Sequence, residues 1–120
     1  MDMRILNDHG DLTHICEALI LRSINKKYTE EHLKKIFEYD NIGLPINFMI
    51  IYSKVKYLSK LWEKFVNLVS EFNFIYPLTN DGFKDFSNEF SKYAEIKIGL
   101  THHKREGKIC KLYHFFLNFN

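Results

Sequence analysis

The side chains best suited to chemistry lie in one stretch, GLTHHKREGKICKLYHFFLN, residues 99–118. His102, His103, Cys110 and His114 are ligand types for zinc or copper. Lys104, Arg105, Lys108 and Lys111 set positive charge among them. Three chemistries compete for these residues: metal binding, acid–base catalysis on a phosphodiester, and capture of an anionic or protein partner.

Spacing argues against a metal. Cys110 and His114 are four residues apart, so on a strand they share a face. They would still sit ~13 Å apart along it, at ~3.3 Å per residue, which is too far for one ion. Structural zinc draws on tighter Cys/His pairs, and none is present. No metal and no other cofactor is expected. Catalysis has the right residue types. His102 or His103 could act as a general base, Lys104 or Arg105 could steady a pentacovalent phosphate, and Tyr113 or His114 could assist. That set describes a small metal-independent ribonuclease, the enzyme reading to exclude. Any basic hairpin with histidines shows the same residues, however. The chain has no G-x-S-x-G, Walker-type loop, H-E-x-x-H or G-x-G-x-x-G. A binding protein is the expectation, with no catalytic residues assigned.

Charge points the same way. The chain of 120 residues has a formal net charge of +2. Lys97, Lys104, Arg105, Lys108 and Lys111 against Glu106 give residues 97–111 a local +4, so the remainder is acidic on balance. Eleven Phe and seven Tyr are more aromatic rings than so small a core can hide, and some should line a contact surface. Cys16 and Cys110 both fall in apolar patterns and are expected as buried free thiols. The opening Met1-Asp2-Met3-Arg4 lacks the pattern of a signal peptide. The longest apolar run, Leu44–Tyr52, falls short of the ~20 residues a membrane helix needs. One cytoplasmic domain, residues 1–120, without membrane contact, is the expectation.

The elements that must position these residues are read from periodicity. Residues 3–6 suit a short strand and 7–10 a turn. Leu12, Ile15, Cys16, Leu19, Ile20 and Ile24 recur at helical spacing, so 12–25 is expected as a helix with Asp11 at its cap. Thr29, Glu30 and Glu31 suggest the start of a second helix, ending near Asn41-Ile42-Gly43. Phe48, Ile51, Val55, Leu58, Trp62, Phe65, Val69 and Phe72 alternate steps of three and four. The spacing predicts a third helix beginning near Pro45, and the stripe permits a homodimer. Phe83, Phe86, Phe90 and Tyr93 predict a fourth helix. Residues 96–117 predict a β-hairpin with Gly107 in its loop. The fold expected is α+β, about four helices closed by a C-terminal hairpin. Its core should draw on Ile15, Leu19, Leu33, Phe37, Ile51, Val55, Leu58, Trp62, Phe65, Val69, Phe86, Phe90 and Ile98.

Residues 27–58 (KYTEEHLKKIFEYDNIGLPINFMIIYSKVKYL) would supply helix, turn and helix, and 95–115 (EIKIGLTHHKREGKICKLYHF) a wing. In pattern, this order resembles a winged-helix domain. The resemblance implies a helix in the major groove, with Asn47, Ser53, Lys54 and Lys56 facing DNA and Lys104, Arg105 and Lys108 at the wing tip. The nucleic-acid-binding residues expected are Lys54, Lys56, Lys60, Lys104, Arg105, Lys108 and Lys111. The alternative partner is a specific protein, held by His102, His103, Tyr113, Phe115 and Phe116. That reading describes a small inhibitor or interaction module of the anti-defence or immunity type. The Asn-, Lys-, Ile-, Phe- and Tyr-rich usage suits a phage or mobile element.

Overall fold

Residues 2–90 and 95–119 are described by the computed structural model. In chain order they form β1 (Asp2–Leu6), β2 (Leu12–Ile20), α1 (Lys26–Tyr39), β3 (Ile46–Ser53), α2 (Leu58–Glu71), β4 (Lys84–Asp85), a 3-10 turn at Ser87–Phe90, β5 (Ile96–Arg105) and β6 (Lys108–Asn118). All six strands join one sheet in the order β1-β2-β3-β6-β5-β4. β2, β3 and β6 run parallel to one another, and the remaining pairs are antiparallel.

This corrects the expectation of about four helices and, with it, the winged-helix pattern. Residues 12–20 are strand β2. The long third helix is instead β3, a short connection and α2. The fourth helix is replaced by β4 and the 3-10 turn. Tyr93 lies outside the described residues, as does the side chain of Phe90. Segment 27–58 therefore holds one helix and one strand, not a helix-turn-helix. The hairpin does form, but β6 sits in the middle of the sheet rather than projecting as a wing.

Polar residues on the inward side of the strands concealed their period of two. Along β2 the inward positions are Ile15, Glu17 and Leu19. Along β3 they are Asn47, Met49, Ile51 and Ser53, all buried. The outward positions of β3 are Ile46, Phe48, Ile50 and Tyr52. With polar groups inside and apolar ones outside, apolar/polar alternation vanishes, and a spacing of three and four appears by coincidence.

Both helices pack on the same side of the sheet. Leu33, Ile36 and Phe37 of α1 and Leu61, Trp62, Phe65 and Val69 of α2 share one apolar cluster with Ile15, Leu19, Met49, Ile51, Leu112 and Phe116. Most of the expected core is there. Val55 is only partly buried, and Phe86 and Ile98 lie half-exposed outside the cluster.

Asn25, not Thr29, caps α1, accepting from the Tyr28 N–H at 3.1 Å. At the other end of α1, the buried Asp40 carboxylate accepts from the N–H groups of Gly43 and Leu44 and from Asn47 Nδ2. Asn47 Oδ1 in turn accepts from the Ile15 N–H at 2.9 Å. Arg105, at the end of β5, donates from Nη1 to the Asp40 carbonyl at 2.8 Å and lies 3.3 Å from Oδ2. Its guanidinium also stacks 4.4 Å from the Tyr76 ring centroid. One buried polar cluster thus fixes the hairpin tip against the α1–β3 loop.

Candidate functional site

Because successive strand residues face opposite sides, burying one face under two helices leaves the other as a second surface of the same strands. Register lays out that surface in rows. Met3, Cys16, Phe48, Tyr113, Leu100 and Lys84 follow one another across all six strands. The next row is Ala18, Ile50, Phe115 and Ile98, and beyond it lie Ile20, Tyr52, Leu117 and Ile96. Neither α-helix covers these rows. Cys16 and Leu100 are buried by their neighbours, yet Ile20 is 66% exposed and most of the others are half-exposed.

The rings at its centre touch. Phe48 stacks on Tyr113 with centroids 5.9 Å apart and meets Phe115 at the same distance, while His14 lies 5.3 Å from Phe48. Tyr52 stacks on Phe119, itself 63% exposed, at 6.0 Å. Side-chain charge lies at the margins of this face, with the exposed Lys54 just past the end of β3. Lys111, paired with Ile46 and His102, and Lys104 lie toward the hairpin tip, and Lys84 lies on the edge strand. An apolar, partly aromatic centre with charge at its margin is the composition of an interaction surface.

The residues singled out from sequence divide between the two faces. Tyr113 and Phe115 are on the open face, with His102 half-buried beside Lys111. Phe116 and His103 point the other way and are 0% exposed. Lys104, Lys108 and Lys111 are exposed near the tip, whereas Arg105 is held by Asp40. Lys54, Lys56 and Lys60 are exposed at the opposite end of β3, about 25 Å from Lys111 at ~3.3 Å per strand residue. The two basic groups do not form one patch.

Two of the three hairpin histidines, His103 and His114, close into the core. His103 Nδ1 donates to the Tyr76 carbonyl at 2.9 Å, because a carbonyl can only accept. Nε2 of the same ring then accepts the Thr101 hydroxyl at 2.7 Å. That leaves the Thr101 oxygen to accept from His114 Nε2 at 2.9 Å, and His114 Nδ1 without a partner. Burial pushes the His103 pKa down to about 4 and that of His114 to about 3, with mutual repulsion adding to the His114 shift. Both rings are neutral near pH 7 and shut off from solvent by Phe65, Phe74 and Phe83. They serve as hydrogen-bonding core groups, out of reach of a substrate.

Cys110 and Cys16 are free and buried, and burial raises both thiol pKa values. Among the described residues, no group of three or more His, Cys, Asp or Glu side chains converges as a metal site would. No helix among them is long and apolar enough to cross a membrane.

The open face is what sequence reasoning missed. Tyr113 and Phe115 point to it, but Phe48, Ile50 and Tyr52 fall in a stretch whose spacing predicts a helix. The signal that could have found it is the run INFMIIYS, eight residues dominated by strand formers. Comparison with protein-family models, curated proteins and solved structures returns no match to this chain.

Proposed function

We propose that this protein is a non-catalytic interaction module that works through its open sheet face, and that the face closes against a second copy of the chain. The observation that carries the reading is the three apolar cross-strand rows on the side of the sheet opposite both helices. Strands ~4.8 Å apart and roughly 28 Å long give the face about 600 Å² in projection. A standard interface takes about 800 Å² from each partner once side-chain relief is counted, so the face is of the right size.

Charge stays off the centre of the face. Lys104 and Lys111 lie at the hairpin end, while Tyr52, Leu117 and Phe119 lie at the other. A two-fold arrangement with antiparallel sheets leaves the charged margins of both copies outside the apolar rows, in water. Sheets packed face to face at ~10 Å would interdigitate Phe48, Tyr113 and Phe115 with their symmetry mates.

Nucleic-acid binding through the hairpin tip is the second reading. The exposed Lys104, Lys108 and Lys111 favour it, and bases could stack on the ring ladder of Phe48, Tyr113 and Phe115. Against it, lysines do not track along the face as a sugar–phosphate backbone requires.

A photo-cross-linking residue placed at Tyr113, with a control at the exposed Lys27 of α1, separates the two in purified full-length protein. Cross-linked dimer from position 113 alone is the expected result. Cross-linking from 113 to added single-stranded RNA or DNA, abolished by Lys104→Ala with Lys108→Ala, would replace the first reading with the second.

A further inference from the structure

A pocket of about 230 Å³ opens beside the carboxyl ends of β2 and β3, away from the open face. Arg22, from the residues after β2, and Lys56, Lys60 and Lys64 contribute to its lining. Four cations thus gather around one concavity in a chain whose net charge is +2, and no acidic residue lines it. None of the four makes an ion pair among the described residues. Four like charges held together without counter-charges repel one another, and an anion in their midst relieves that cost.

The pocket also has an organising group. The Tyr57 ring centroid lies 5.5 Å from the ammonium of Lys56 and 5.5 Å from that of Lys60, so the ring attracts both. Ile24, Val55 and Leu61 supply an apolar lining. Lys56 and Lys60, expected from sequence to follow a nucleic-acid backbone, line one open concavity at the surface.

We infer that this pocket binds the phosphate group of a small phosphorylated molecule, a monoester or diphosphate. The cations would hold the phosphoryl oxygens and the apolar lining would receive the rest of the molecule. Concavity and size favour a small ligand over a polymer. A multiply charged phosphate matches the cation count better than a single carboxylate does.

The test is an NMR titration of the ¹⁵N-labelled full chain with inorganic phosphate and pyrophosphate, repeated with a short single-stranded oligonucleotide. Saturable shifts confined to residues 22–24 and 55–64, with pyrophosphate the tighter ligand, are expected. Arg22→Ala and Lys60→Ala should each weaken pyrophosphate binding roughly tenfold, the size of one charge-assisted contact. Lys108→Ala at the hairpin tip should leave it unchanged. Shifts spread over the exposed lysines, equal weakening by Lys108→Ala, or oligonucleotide binding that pyrophosphate does not displace would each overturn the inference. All four cations are exposed, so their replacement leaves the fold intact. This outcome is independent of whether the sheet face self-associates.

Discussion

At the scale of single residues, two of the three histidines that look reactive in sequence, His103 and His114, are fixed parts of the interior. His114, Thr101 and His103 form one directional chain that ends on the Tyr76 carbonyl. Thr101→Val keeps the shape but removes the hydroxyl that bridges both rings. It should lower stability by about 1–3 kcal/mol, the cost of stranding buried polar groups, as read by urea denaturation. The chain also sets a pH response. The folded-state pKa values of His103 and His114, about 4 and about 3, lie below the unfolded value near 6.5, so the unfolded chain binds more protons below pH 6.5. Stability from this source is complete above pH 6.5 and falls as pH drops toward 4 and 3, by about 2 kcal/mol per histidine at pH 5. A His114→Phe variant that still folds should show a shallower loss of stability between pH 6.5 and 5. Unchanged acid sensitivity would show that His114 does not drive it. Gly99 answers to packing in the same region. A Cβ built there would lie 2.2 Å from the Phe83 ring, so Gly99→Ala should destabilise the fold by about 1–3 kcal/mol in the same measurement.

At the scale of elements, the hairpin and α1 were legible in sequence, and β2, β3 and β4 were not. The hairpin shows itself because its turn has the right chemistry. Glu106 and Gly107 both take positive φ, 49° and 79°, between Arg105 and Lys108 paired across the strands. Glu is a poor residue for that geometry. Glu106→Asn should raise the melting temperature slightly, by less than about 1 kcal/mol in stability. β2 and β3 were hidden because Glu17, Asn47 and Ser53 occupy inward positions while apolar residues occupy outward ones. Nothing local tells a reader that Glu17 meets His32 at 2.5 Å, or that Asn47 joins Asp40 to β2. Those partners lie 15 and 32 residues from the side chains that need them. Arg105 is a similar case: its position suggests a free wing-tip cation, and its contacts make it a brace between the hairpin and the end of α1. Arg105→Ala should therefore cost about 3 kcal/mol of stability by uncovering the buried Asp40, whereas Lys104→Ala and Lys108→Ala stay within about 0.5 kcal/mol. Matching losses for all three in thermal denaturation would contradict that division.

At the scale of the whole molecule, the described residues leave the sheet one side covered by both α-helices and one side open, and the same apolar outward residues conceal the strand period and underlie the proposed function. Phe48, Ile50, Tyr52, Tyr113, Phe115 and Leu117 share one surface that neither α-helix covers, and each is partly exposed there. Covering it with a second copy removes that exposure without changing the core. The basic hairpin tips and the cationic pocket beside α2 then remain in water at opposite ends of each protomer. Phe115 lies in the middle row, flanked by Ile50 and Ile98, so a charge there falls at the centre of the interface and leaves the helix-covered core untouched. Sedimentation velocity of the wild-type chain and of Phe115→Lys, over a concentration series and with matching far-ultraviolet circular dichroism, tests this most directly. A dimer for the wild type and a folded monomer for Phe115→Lys is the expected result. A wild-type chain that stays monomeric at the highest concentration, or a Phe115→Lys variant that still dimerises, would contradict it.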